Sequence, residues 1–98
     1  MELRYKNRGL EKICNCLSEA EKKHGTVMAE LIHMRIDQLT SAESVEQMIM
    51  DKIGKTHKLK GKRKNTYAMN LIQPFRLVFE IKENGVYVAN ILEIVDYH

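Results

Sequence analysis

Asn65 to Lys82 read NTYAMNLIQPFRLVFEIK, and these eighteen residues decide the fold. Tyr67, Met69 and Leu71 alternate onto one side of a first run. Phe75, Leu77, Phe79 and Ile81 alternate onto one side of the next, with Arg76, Val78 and Glu80 opposite. Successive side chains leave a strand on opposite faces, so this alternation specifies two strands that each bury one face. Gln73-Pro74, which holds the only proline of the chain, supplies the turn between them. Glu83-Asn84-Gly85 carries the chemistry of a second hairpin turn, leading into a β-patterned run from Val86 to Val95. Short strands near Glu2 to Tyr5 and His57 to Leu59 are expected to complete the sheet.

Upstream the period is that of a helix. Leu10, Ile13, Cys14, Leu17 and Ala20 recur at helical spacing from about residue 8 to His24, and Gly25 supplies a stop. Thr26 then suits the cap of a second helix with Val27, Met28, Leu31, Met34, Ile36 and Leu39 along it. Arg35 falls inside that apolar arc and requires a carboxylate or carbonyl partner. Ser44 to Gln47 is a capping-box pattern opening a third, short helix to about Lys52, with Gly54 ending it. The fold class that follows is α+β: N-terminal helices on one face of a small, mostly antiparallel sheet, the other face partly open. A chain of 98 residues supports a single domain spanning 1–98.

Several classes of function are excluded by composition. No apolar stretch reaches the roughly 18 residues that a membrane span needs. The opening residues lack the apolar core of a signal peptide, which points to the cytoplasm. Cys14 and Cys16 stand two apart on the expected helix, so neither a disulfide nor a zinc pair is natural; Cys14 belongs to the apolar stripe. His33 and Asp37 are four apart on a helix but have no evident third ligand, so no metal and no cofactor is expected.

Charge is unevenly placed. The net +3 conceals a segment, residues 52 to 79, with eight bases (Lys52, Lys55, Lys58, Lys60, Lys62, Arg63, Lys64 and Arg76) and no acid, against eight bases and thirteen acids elsewhere. Such an oriented field suits a polyanionic partner. Arg76 points to the open face, because Phe75 and Leu77 are committed to the core. If the hairpins order as expected, the edge carrying His57 and Lys60 and the tip Asp96-Tyr97-His98 converge near it.

At these residues the chain resembles the RelE/ParE toxin superfamily, and more closely its HigB branch of plasmid-maintenance killer proteins. The resemblance rests on His57, Lys60-Gly61, the charged Lys62 to Lys64, Tyr67, the aromatic-Arg pair Phe75-Arg76, and the terminal Asp96, Tyr97 and His98. Lys58 departs from the pattern, which usually has proline there. The resemblance implies a ribosome-dependent endoribonuclease that cuts messenger RNA, held in check by a HigA-like helix-turn-helix antitoxin. Metal-independent cleavage uses the substrate's 2′-OH as nucleophile and needs a base, an acid and cations for the phosphorane-like transition state. His57, His98, Asp96 and Tyr97 are the titratable candidates, and Lys60 and Arg76 the cations. Lys55, Lys58, Lys62, Arg63 and Lys64 are candidates for contacts to RNA and ribosome phosphates. Which histidine is base and which is acid stays open. The α-carboxylate and Asp96 beside His98 favour its imidazolium form. Two alternatives remain: a ParE-like toxin that binds DNA gyrase, and a catalytically inactive nucleic-acid-binding module. Neither has a use for His57 and His98.

Overall fold

The computed structural model describes residues 1–61, 64–83 and 87–96. The expected turn at Asn84-Gly85, the strand start at Val86, and Lys62, Arg63, Tyr97 and His98 lie outside the described residues. Strands β1 (Glu2–Tyr5), β2 (His57–Lys58), β3 (Thr66–Asn70), β4 (Phe75–Glu83) and β5 (Tyr87–Asp96) form one sheet in the order β1-β5-β4-β3-β2. β1 runs parallel to β5 and every other pairing is antiparallel, so the sheet is mostly antiparallel as the pattern required. Helices α1 (Arg8–Asn15), α2 (Leu17–His24), α3 (Thr26–Ser41) and α4 (Val45–Met50) supply the other half of the core. None of the described helices is long and apolar enough to cross a membrane.

Alternation sorts the sheet as its residues dictate. Met69, Leu71, Leu77, Phe79, Ile81, Ala89 and Ile91 join Ile32, Leu39 and Met48 of the helices in one main core. The opposite face buries only a small cluster, Ala68, Val78 and Leu92, flanked by Leu59 and Val95. That second face is the partly open one.

The helical half departs from expectation in three places. The first helix is two, because Cys16 is extended (φ −125°, ψ 109°) and serves as C-cap of α1 and N-cap of α2. An extended residue resets the helical phase, so Leu17 leaves the apolar stripe and is 42% exposed. Thr26 does not cap α3. Gly25, at φ +83°, ends α2 and opens α3 in one residue, leaving no separate cap position. On α3 the buried arc is Met28, Ala29, Ile32, Ile36 and Leu39, while Val27 is 70% and Met34 52% exposed. The helix is apolar around more than one side, and the packing chose a neighbouring stripe. Ser44 caps α4 as expected, its hydroxyl accepting from the Gln47 amide at 3.1 Å. The helix ends at Met50, and a short 3₁₀ turn over Ile53–Lys55 follows.

Arg35 explains a glycine. Its Nε donates to the Asn70 carbonyl at 2.8 Å and its Nη1 to Gln38 Oε1 at 3.0 Å, so a carbonyl, not a carboxylate, holds it between α3 and β3. Burial pushes its pKa below the usual guanidinium value. Gly54 sits at φ +58°, and a Cβ there would lie 2.9 Å from that same Nε. Gly54→Ala therefore meets both a left-handed backbone and a guanidinium tied in place. A loss of about 1–3 kcal/mol is expected, read as a lower urea midpoint. An unchanged midpoint would show that Arg35 yields freely.

The two thiols behave differently. Cys14 is buried, and burial pushes its pKa up to about 12. Cys16 is exposed, with its sulfur 3.2 Å from the Ser18 hydroxyl, a contact that lowers its pKa. Both are free.

Candidate active site

His57 is delivered by a compressed stretch of backbone. Lys52 (φ 54°), Gly54 (φ 58°) and Lys55 (φ 52°) are all left-handed, and the buried Thr56 anchors the turn through its hydroxyl to the Ile53 carbonyl. Left-handed residues away from glycine store strain, and here two lysines carry it just before the edge strand. The His57 ring is exposed, and Nδ1 lies 2.9 Å from the Lys55 carbonyl. A carbonyl oxygen only accepts, so Nδ1 carries the proton in this contact. The neutral ring then keeps its lone pair on Nε2.

The ladder places Arg76 on the same face. His57 pairs with Ala68, which pairs with Val78; the next row on that face is Asn70, Arg76 and Val95. Two strand spacings and two residues along separate the Cα atoms of His57 and Arg76 by about 12 Å. Ala68 and Val78 form a low apolar floor between them. The guanidinium folds back over the β3–β4 turn. Nη1 donates to Gln73 Oε1 at 3.2 Å, to the Phe75 carbonyl at 3.1 Å and to the Pro74 carbonyl at 3.4 Å. These acceptors are neutral, so none of them cancels its charge.

Other candidates are placed differently. Lys58 pairs with Tyr67, which gives it the helix-side face of the edge strand, away from His57. Lys55 and Lys60 are exposed on either side of β2. Lys64 lines a depression of about 570 Å³ with Glu46, Glu80 and Lys82, in acidic company. Asp96 pairs with Phe75, not Arg76. The cause is a bulge: Val78 pairs with Glu93 but Phe79 with Ile91, so Leu92 is an extra residue that shifts the phase of everything after it. The same shift sets Glu93, which the sequence did not single out, in the His57 row. Ile91 and Ile94, three apart on the core face, were the available sign of it.

The face is graded in charge. At the end far from Arg76, Glu80 accepts from Asn90 Nδ2 at 3.4 Å and pairs with Lys82 at 3.7 Å. Toward the β3–β4 turn the described ionisable groups on this face are His57, Arg76 and Glu93, the last in the His57 row. Among the described residues, none of the bases between 52 and 76 makes an ion pair. A cavity of about 710 Å³ lies elsewhere, along α3 and α4, and is lined by Glu30, Asp37, Glu43 and Asp51. Its charge has the wrong sign for a polyanion. Among the described residues no three His, Cys, Asp or Glu side chains gather as metal ligands.

His24 is half-buried with its ring edge-on to Phe75, centroids 6.4 Å apart at 74°. Burial first, and Lys23 second, push its pKa below the usual histidine value.

No protein-family model matches the chain, and no curated protein sequence does. Solved structures do resemble it. A YoeB/ParE toxin from Agrobacterium tumefaciens superposes with TM-score 0.68 over all of both chains, at 15% identity. A chain of the YoeB-YefM complex from Staphylococcus aureus gives 0.63 at 17% identity, covering all of this chain and 97% of that one. The Staphylococcus aureus YoeB dimer gives 0.58 at 18%, with the same coverage. At such identities the likeness is one of backbone, and it covers the whole chain: its α+β arrangement, helices against a five-stranded, mostly antiparallel sheet, matches the fold of the YoeB/ParE toxin structures.

Proposed function

We propose that the chain is the toxin of a type II toxin–antitoxin pair and cuts messenger RNA on the ribosome. One observation carries the reading: His57, with Nδ1 held by a carbonyl and Nε2 left as the basic nitrogen, shares an open sheet face with Arg76. Nε2 takes the proton of the 2′-OH, the 2′-oxygen bonds to phosphorus, and the bond to the 5′-oxygen breaks. The departing oxygen receives a proton from the terminal segment, where His98 and Tyr97 are the candidate acids. Arg76 and Lys60 offset the charge that builds on the phosphoryl oxygens, and preorganised cations are often the largest contributors to such catalysis. Asp96, at the end of β5, serves the acid side of the site. The order Phe75-Arg76 then Asp96-Tyr97-His98 favours the HigB branch within this fold. The YoeB-YefM complex among the similar structures supports an antitoxin as partner; its helix-turn-helix type follows from the HigB resemblance alone.

The name YoeB/ParE also motivates a second reading, a gyrase-binding toxin. Short induction in cells separates the two. Codon-spaced cuts in message mapped by primer extension are the expected result; intact message with DNA damage would establish the gyrase reading instead.

Lys55, Lys58, Lys62, Arg63 and Lys64 position the protein through phosphates and do not take part in the chemistry. Lys58→Gln should weaken ribosome binding and reduce the slope of log K against log salt by about 1. The single-turnover rate at saturating ribosomes should stay nearly unchanged. A rate loss at saturation would move Lys58 into the chemistry.

A further inference from the structure

A third cavity, about 460 Å³, opens at the end of the sheet where β3 turns into β4. Its walls are Val27, Met28, Ile72 and Phe75, with Lys23, His24, Thr26 and Gln73 as polar groups and no acid. Mostly apolar walls with a few polar groups, at a volume within about 300–1,000 Å³, are what a small planar ligand needs. The two rings meet at 74°, so a flat group lying on one ring presents its edge to the other. Val27 and Ile72 are 70% and 40% exposed, which keeps the mouth open.

Gln73 joins this cavity to the candidate active site. Its Oε1 accepts from Arg76 Nη1 at 3.2 Å, which turns its amide NH₂ away from the cation and leaves it to donate. Asp96, across from Phe75, is not among the walls. We propose that this cavity seats one unstacked nucleobase of the RNA strand beside the cut, lying against His24 and Phe75 with Gln73 on its edge. The proposal rests on RNA as substrate. Proteins read single-stranded RNA by stacking splayed bases on aromatic rings and hydrogen-bonding their edges. The subsite gives the toxin a preference among bases at one position without adding to the chemistry.

Two measurements test it on the full chain. The ring resonances of His24 and Phe75 are followed by NMR while AMP, GMP, CMP, UMP or ribose 5-phosphate is added. Saturable ring shifts that rank the bases, absent with ribose 5-phosphate, are expected. Equal shifts with the base-free sugar phosphate, or none with any nucleotide, would overturn the subsite. In ribosome-dependent cleavage, His24→Ala should raise KM by about tenfold, one stacking contact's worth. It should also flatten the base distribution beside the cut, with kcat nearly kept. Val27→Glu, an exposed position in the first turn of α3 where an acid suits the helix, should act in the same direction without disturbing the fold. Unchanged KM and cut-site distribution in both variants would sink the proposal even if the wild type cuts RNA well. Base-dependent ring shifts in a protein that cuts no RNA would instead retain the subsite and remove the ribonuclease reading.

Discussion

His57→Ala is expected to lower single-turnover cleavage of ribosome-bound message by about 10²–10⁴-fold, the usual contribution of one positioned proton-transfer group. The ring is exposed, and among the described residues its one hydrogen bond goes to the Lys55 carbonyl at the surface. Surface substitutions of this kind stay within about 0.5 kcal/mol in stability. Unfolding curves of the variant and the wild type should therefore nearly coincide while the rates separate. His57→Gln is the sharper control. It can keep a donor to the Lys55 carbonyl but has no basic nitrogen, so it should be as slow as alanine. A glutamine variant close to wild type would reduce His57 to a prop for the Lys55 turn, and the base would have to be sought elsewhere on the face.

That histidine could be singled out from the sequence, but its tautomer could not. The identity of the proton-accepting nitrogen depends on a carbonyl two residues away, and the backbone of Lys55 faces it only because Lys52, Gly54 and Lys55 turn left-handed. The sheet was far more legible. Alternation from Tyr67 to Ile81 specifies which face is buried whatever the partner strands are, and the ladder agrees with it residue by residue. The helices were legible in number of turns but not in phase. Cys16 is compatible with a continuous helix on propensity, and nothing local announces that it is extended. The apolar residues of α3 admit two stripes, and only packing within the main core selects Ile32 and Ala29 over Val27 and Met34. At the site the bulge at Leu92 mattered most. It moves Asp96 to the Phe75 side of the ladder and brings Glu93 into the His57 row, a one-residue effect that alternation alone does not reveal.

The largest effect on stability is expected at Phe79. It is fully buried at the centre of the sheet, stacked on Tyr67 with centroids 5.8 Å apart, and paired in the ladder with Tyr67 and Ile91. Phe79→Ala removes the ring from between β3, β5 and the helices and leaves a cavity that rigid neighbours fill poorly. A loss of about 3–5 kcal/mol is expected, a large share of the roughly 5–15 kcal/mol that holds a domain of ordinary stability together. Urea denaturation of the purified chain should show a much lower midpoint at similar slope. Phe79→Leu should lose markedly less, because an aliphatic side chain still fills much of the site. A loss below about 1 kcal/mol for alanine would mean that the core closes over the gap.

The most direct test of metal-independent cleavage by 2′-OH attack is the chemistry of the product ends. Purified protein is mixed with ribosomes programmed with a defined message, in chelator-treated and ordinary buffer at equal free magnesium for the ribosome, and the new termini are identified. The 2′-OH mechanism predicts cuts at ribosome-held codons leaving a 2′,3′-cyclic phosphate on one fragment and a free 5′-OH on the other. Intact message, or fragments ending in 3′-OH and 5′-phosphate, would contradict it.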